Sequence, residues 1–326
     1  MVGMPDPRLP GASICIPTYK RCHLLKRAVA SVFAQTFKDW ELLISDDEDP
    51  SGETWEYLLK LEKTDSRIRV MTNPGEHGQA PNMNRLLVLA RAPWVKPLYD
   101  DDVLRPDCLE TLLLAVRGLP SVALVSCLCD SYSHGKRLRN LRRRGRAELE
   151  LVPQRYVHLG MYLQDCPCGV PSQVMVKRQA IEKGALFEQV RGIVSSVDAW
   201  WNCSVLRHGD LLFVNKVLVE FHQGSHDSIT RSVRDTLEEE YAPVLQWELQ
   251  HIDRALNPPP LPIVMQMVKC VRALHHLRSR RMAEALRLVG QLRHPSAFFL
   301  LTRWILNQIF PGRFHVAPRN AVSLRE

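Results

Sequence analysis

Four short apolar runs, each closed by polar residues and each followed by a helix-spaced segment, fill the first third of this chain. The runs are Ser13 to Ile16, Trp40 to Ser45, Ile68 to Met71 and Trp94 to Leu98. Between the first two, Leu25, Val29, Val32 and Phe33 fall at helical spacing; Glu53 to Leu61 and Gln79 to Ala90 repeat the pattern, with Leu86, Leu87 and Leu89 on the apolar side. A further helix-like pattern runs from Leu109 to Val116, before a fifth strand at Val122 to Cys127. Strand and helix alternating over short connections predict a parallel sheet with right-handed crossovers. Polar candidates gather where strands end: Thr18 and Tyr19, Asp46 and Asp47, Asn73, and Asp100 to Asp102. Open α/β sheets bind ligands at the carboxyl ends of their strands.

The fourth strand ends in the strongest of these signals, WVKPLYDDDVLRPD, Trp94 to Asp107. Three adjacent carboxylates repel one another unless something cationic sits among them. A hard divalent cation answers that need, because Mg²⁺ or Mn²⁺ prefers carboxylate oxygens and keeps positions open for phosphate. A solvated acidic turn is the alternative; the position at the end of a buried strand favours a ligand site. No Gly-x-Gly-x-x-Gly follows the first strand and no Gly-Lys-Ser/Thr loop occurs, which speaks against a dinucleotide dehydrogenase or a P-loop enzyme.

Composition adds limits. The chain of 326 residues is 45% hydrophobic and 24% charged, as expected of a globular protein. No run reaches the roughly 20 apolar residues that span a bilayer. The N-terminal segment lacks the basic and apolar regions of a secretory signal. Nine cysteines without a disulfide-like framework, including Cys166-Pro-Cys168, read as buried thiols in a reducing compartment, so the expected location is cytoplasmic. The net charge of +8 is uneven: residues 236–326 hold twelve Lys/Arg against seven Asp/Glu, and KRLRNLRRRGR, Lys136 to Arg146, holds seven basic residues. Such patches are either solvated loops or sites for phosphate, anionic lipid or nucleic acid.

IPTYKR, then SVFAQTFKDWELLISDD, then QAPNMNRLLVLARAPWVKPLYDDDVLRP resemble the nucleotide-sugar domain of family-2 glycosyltransferases. The similarity continues in the family's order through GVPSQVMVKR, VSSVDAWWN and FHQGSHDSIT, and covers about residues 11–235. The resemblance implies an α/β GT-A-type fold: a Rossmann-like, mixed, mostly parallel sheet flanked by helices. It implies a nucleotide-sugar half at residues 11–130 and an acceptor half at 150–235. Beyond about Asp235 the resemblance ends, and the residue pattern itself predicts a helical C-terminal extension at 236–326, with helices at Leu237 to Leu256, Ile263 to Leu277, Met282 to Leu292 and Ala297 to Phe310.

The resemblance also assigns residues. Pro17, Thr18 and Tyr19 border the nucleoside. Asp46 accepts a hydrogen bond from the base, and an ionised carboxylate suits the imide N–H of uracil or thymine. Asn82, Asn84 and Asp100 lie by the sugar-phosphate, and His222 by the diphosphate, with Gln223 in place of the family's proline. The family's Asp-x-Asp-Asp would begin at position 99, which is Tyr99 here. Asp100-x-Asp102 satisfies the same spacing shifted by one residue, Asp101 occupies the register of the usual ligand, and the resemblance implies Asp101 or Asp102 as the ligand of Mn²⁺ or Mg²⁺. Asp198 is the catalytic carboxylate, against the alternative of a helix N-terminal acid favoured by the dipole. The implied activity is inverting transfer from a UDP- or dTDP-sugar to an acceptor hydroxyl in polysaccharide, glycolipid or other cell-surface glycan synthesis. Alternatives are a catalytically inactive nucleotide-sugar-binding protein and a sugar nucleotidyltransferase; the latter needs a glycine-rich basic loop that PTYKR lacks. The expected partners are a nucleotide-diphospho-sugar and a glycan, lipid-linked or small-molecule acceptor, not nucleic acid. The basic tail with its apolar segment Ala297 to Phe310 either packs on the domain or contacts anionic membrane.

Overall fold

The computed structural model describes residues 9–48, 50, 52–133, 135–138, 147–165, 168–188, 193, 196–223, 237–278, 282–290, 293–309, 315 and 317–322. In order, the first part of the chain forms β1 (Ala12–Thr18), α1 (Cys22–Phe33), β2 (Trp40–Asp46), α2 (Glu53–Glu62), β3 (Ile68–Thr72), α3 (Gln79–Leu89) and β4 (Trp94–Pro97). It continues with β5 (Val103–Leu104), α4 (Cys108–Val116), β6 (Val122–Ser133), β7 (Lys136–Arg137), β8 (Leu149–Val152) and α5 (Gln154–Tyr162). A 3₁₀ turn at Pro171–Gln173 precedes β9 (Val174–Lys177), α6 (Arg178–Glu182), α7 (Val197–Leu206) and the long β10 (Asp210–Gln223).

These strands make one continuous sheet in the order β8-β10-β6-β9-β4-β1-β2-β3. β1 pairs in parallel with both β2 and β4, and β2 with β3. β9 lies antiparallel between β4 and β6, and β6 runs parallel to β10. The sheet is therefore mixed and mostly parallel, as anticipated, and it crosses the boundary between the two expected halves without a break. Alternation along the strands divides the core. Ile14, Ile16, Leu42 and Ile44 face the side of α1, α2 and α4. Cys15, Leu43, Val95 and Val176 face α3, α6 and α7. Because both faces are covered, the central strands read as continuous apolar runs.

Beyond β10 come α8 (Leu237–His251), α9 (Leu261–Arg278), α10 (Met282–Val289), α11 (Pro295–Ile309) and β11 (Asn320–Val322). The extension is helical but not wholly so: β11 returns to the sheet and pairs antiparallel with β8. Its helices pack on α5, where Leu159, Tyr162 and Leu163 meet Leu245, Ile252, Val264, Met267 and Leu300. The buried pair His158 Nδ1–Glu248 Oε2, 2.6 Å, joins α5 to α8. Residues 139–146 of the basic run, Cys166, and the segment from 224 to 236 with Ser225 and His226 lie outside the described residues. The cysteines among the described residues are free thiols, mostly buried.

Candidate active site

Parallel registry brings the polar strand ends together. Thr18 of β1 lies opposite Asp46 of β2, and Asp46 opposite Thr72 of β3. Leu98 N–H bonds Cys15 O, so the acidic turn after β4 emerges beside the β1–α1 loop. Asp100 is fully buried there. Thr18 Oγ1 donates to its Oδ2 at 2.7 Å, and Arg21 Nη2 meets its Oδ1 at 2.9 Å. The Tyr19 amide donates to it as well. Burial still pushes Asp100 up to about 6, against the pull of Arg21. Asp100 is thus a clasp between two loops.

Arg21 Nη1 also reaches Asp101 Oδ2 at 3.3 Å, and Asp101 is the most open of the three, its side chain 22% exposed. Asp102 is buried and accepts from the His222 backbone N–H at 3.1 Å. Burial raises both Asp101 and Asp102 above the ordinary carboxylate range, and the charge of Asp101 raises Asp102 further. The crowding expected from the sequence is real, and an arginine of α1's cap answers part of it.

Two residues beneath the turn complete the frame. Ser172 Oγ accepts from Tyr99 N–H at 3.0 Å, and its hydroxyl favours the charged form of Asp102. Lys96 is fully buried; its ammonium donates to Ser172 O, and to Pro97 O at 3.0 Å. Burial lowers its pKa while nearby acids, Asp102 among them, oppose the shift. Tyr99, where the family pattern begins with an acid, points its hydroxyl at Gln79 Nε2, and burial raises its pKa.

The end of β2 behaves differently. Asp47 accepts from Gly78 N–H at 2.7 Å, from Asn73 Nδ2 at 2.6 Å and from His77 Nδ1 at 3.2 Å. Gly78 has φ 123°, a left-handed conformation that only glycine adopts readily, and it starts α3. Asp46 accepts one bond, from Glu48 N–H at 3.2 Å, while its buried Oδ2 has no hydrogen-bond partner. Burial pushes Asp46 up to about 6. Asn82 is buried too: its Nδ2 donates to Ser45 O at 3.1 Å, and its Oδ1 has no partner. A buried polar atom left bare costs about 1–3 kcal/mol, so Asp46 Oδ2 and Asn82 Oδ1 are atoms that a ligand would satisfy.

The remaining expected residues divide. Pro17 is a buried residue of β1, and Tyr19 is half-exposed with Lys20 Nζ 5.0 Å from its ring centroid. Asn84 does not face the β-strand ends with a free amide: its Nδ2 donates to Phe187 O at 2.7 Å and its Oδ1 accepts from Phe187 N–H at 2.8 Å. It holds the α6–α7 connection. His222 accepts from Arg27 at Nε2, 3.0 Å, which requires the neutral ring. Burial and Arg27 together lower its pKa, and the ring stacks on Tyr132, centroids 4.9 Å apart. Arg21 and Arg27, not His222, therefore carry the positive charge beside the acidic turn. Both were missed in the sequence, where α1 gives no signal that its basic residues reach across to β4 and β10. Asp198 occupies the first turn of α7, half-buried, with its Oδ1 accepting from Ala199 N–H at 2.8 Å. Its charge helps to raise the pKa of the Tyr99 hydroxyl.

The model of the family described as glycosyl transferase family 2 matches residues 13–184, more than half of the chain. A Campylobacter jejuni GalNAc(5)-diNAcBac-PP-undecaprenol beta-1,3-glucosyltransferase is 37% identical over 106 residues, 32% of this chain and 34% of that protein. The Escherichia coli UDP-Glc:alpha-D-GlcNAc-diphosphoundecaprenol beta-1,3-glucosyltransferase WfgD is 34% identical over 98 residues, 30% of this chain and 38% of that protein. The matched stretch thus spans little more than a third of either relative. Among solved structures, S. aureus TarS 1-349 in complex with UDP-GlcNAc superposes with a TM-score of 0.56 at 13% identity, covering 85% of this chain and 90% of that one. The mannosyltransferase PcManGT from Pyrobaculum calidifontis in complex with GDP-Man and Mn2+ gives 0.54 at 16% identity, covering 94% and 84%.

Proposed function

This chain belongs to glycosyl transferase family 2, and we propose that it moves a sugar from a uridine or thymidine diphospho-sugar to an acceptor hydroxyl with inversion at the anomeric carbon. The observation that carries the reading is the buried, unpartnered Oδ2 of Asp46, beside the equally bare Oδ1 of Asn82, at the carboxyl ends of parallel strands. A base imide N–H would satisfy the carboxylate. The neighbouring TarS complex with UDP-GlcNAc supports a nucleotide-sugar in a fold of this kind. The relatives named for diphosphoundecaprenol-linked acceptors support a glycan acceptor, soluble or carried on a lipid.

The donor set at the acidic turn suits a divalent cation in a particular way. Among the described residues no cluster of three His, Cys, Asp or Glu side chains assembles in metal-binding geometry. Asp101 and Asp102 supply two carboxylates, with Asp101 the open one. Mg²⁺ and Mn²⁺ at phosphate substrates commonly take one or two carboxylates and complete their shell with phosphate oxygens and water. Such a cation would neutralise charge on the leaving diphosphate. The PcManGT neighbour with Mn2+ supports that choice. Arg21 and Arg27 add fixed positive charge to the same region.

Asp198 is the proposed base. The acceptor hydroxyl must lose its proton as it attacks, and a positioned carboxylate takes it; this help is typically worth about 10² to 10⁴ in rate. Asp198→Asn keeps the shape and removes the basicity. Donor affinity, measured by calorimetry, should stay within about twofold while turnover falls by that factor, and the wild-type product should carry the inverted anomer. A variant that turns over at the wild-type rate removes Asp198 from the reaction.

A further inference from the structure

Among the described residues the extension presents an exposed apolar face. On α11, Ala297, Leu300, Trp304 and Asn307 are buried against the body, while Phe298, Phe299 and Ile309 are exposed, Phe299 by 72%. Phe298, the half-buried Ile305 and Ile309 follow helical spacing, with Thr302 between them, so the apolar residues gather on the outward side. On α10, Met282 and Leu286 are exposed at the same kind of spacing.

The orientation of this face is fixed. Arg303 Nη1 lies 3.6 Å from Asp165 Oδ2, and Asn307 Nδ2 donates to Asp165 Oδ1 at 3.2 Å, pinning the inner side of α11. Gln266 Oε1 accepts from the backbone N–H groups of Arg293 and His294, each at 3.0 Å, and sets where α11 starts. Turning the phenylalanines inward would break these bonds. A water-soluble surface does not ordinarily hold large apolar side chains in a continuous stripe.

The charge of the same segment is one-sided. From Lys269 to Arg303 the sequence has eight Lys/Arg against a single acid, Glu284. Arg287, in the last turn of α10, and Arg293, two residues before α11, are both exposed. No helix among the described residues is long and apolar enough to cross a membrane. An apolar stripe with a basic margin, on helices too short to span, is the pattern of an element that lies in the lipid interface. We propose that the exposed apolar residues of α11, with those of α10, both helices being packed on α9, dock on an anionic lipid bilayer. Docking stands by itself; its bearing on the reaction, that the acceptor is presented from a lipid, rests on the glycosyltransferase reading.

The test is co-sedimentation of the full chain with vesicles of phosphatidylcholine alone or mixed with phosphatidylglycerol, at low and high salt. Each interfacial basic residue is worth about fivefold in anionic binding, and salt screens it. The mixed vesicles should bind at least about tenfold better than the neutral ones, and less so at high salt. F298S/F299S and R287E/R293E should each lose at least about tenfold, with thermal unfolding unchanged, since all four side chains are exposed. Equal binding to both vesicle types, or unaltered binding by both variants, overturns the proposal. So does a dimer that F298S/F299S dissociates without any bilayer binding, because the occupant is then a second copy. Calorimetry with UDP-sugars on the same proteins is the independent readout: absent donor binding sinks the glycosyltransferase reading and leaves docking as measured.

Discussion

The acidic runs that close β2 and β4 look alike in sequence and are built on the same division. In each, one carboxylate is tied down by the protein and its neighbour keeps capacity for something else. At β2, Asp47 gathers the Asn73-to-Gly78 loop through three donors, while Asp46 leaves a buried oxygen bare. At β4, Asp100 holds the β1–α1 loop through Thr18 and Arg21, while Asp101 lies partly open. The difference lies in the counter-charge. Backbone and amide groups are the main donors to Asp47, and a guanidinium bridges Asp100 and Asp101. Uncharged donors suffice for a fixed loop, whereas the site proposed for a diphosphate and a cation would need charge that can be shared. Clasp and ligand roles should therefore separate cleanly when each acid is changed alone.

The largest expected separation is at β4. Asp101→Ala should remove the dependence of donor affinity on Mn²⁺ and weaken UDP-sugar binding by at least about a hundredfold, with the unfolding temperature nearly unchanged. Asp100→Ala should instead lower stability by about 1–3 kcal/mol, since Thr18 and Arg21 lose a buried partner. Calorimetry with and without EDTA reads the first effect and denaturant unfolding the second. If Asp101→Ala binds donor as well as wild type and is equally indifferent to EDTA, the metal assignment is wrong.

A smaller separation is expected at β2. Asp47→Ala leaves the Gly78 N–H and the Asn73 amide without their acceptor and should cost about 1–3 kcal/mol in unfolding free energy. Asp46→Asn should leave the fold at least as stable, because a buried carboxylate with few partners is replaced by a neutral amide. Its donor affinity should drop about tenfold to a hundredfold, the worth of a hydrogen bond to a charged group. Reversal of these two outcomes would exchange the roles of the neighbours.

How far the sequence carried follows from how each element is buried. β1 to β4 were legible because strands covered on both faces become apolar runs such as WELLIS, and their ends stand out as carboxylates. β10 was not legible: Asn215 and Lys216 interrupt its apolar pattern, just where its pairing with β6 shifts register. β8 and α5 were missed as well, LELV being only four residues long with a charge in it. For the site, the positions of Asp46 and of Asp100 to Asp102 at strand ends could be inferred, but not which acid is clasped. That depends on Arg21, Ser172 and the His222 amide, which come from distant parts of the chain. Asn84 has a structural role that its helix position did not announce: both ends of its amide are bound to the Phe187 backbone.

The smallest effect expected is a pH dependence that isolates Asp46. Burial holds its folded pKa at about 6, above an ordinary value of 3.8. For base recognition the carboxylate must be ionised, so nucleoside affinity should be constant above pH 7 and fall as pH drops through about 6, reaching roughly a tenfold loss near pH 5. Stability has the opposite sign. The folded state holds this proton more tightly than the unfolded chain, so the residue costs nothing below about pH 4 and its cost grows as pH rises from about 4 to about 6. Asp46→Asn should accordingly gain on wild type in unfolding free energy across that interval and show no advantage below it. Uridine is the right probe, because it lacks the phosphates whose own titration and metal binding would overlay the signal. Uridine affinity that is flat from pH 5 to 7.5 in wild type, and equally flat in Asp46→Asn, would take the base contact away from Asp46 and leave its bare oxygen without a ligand.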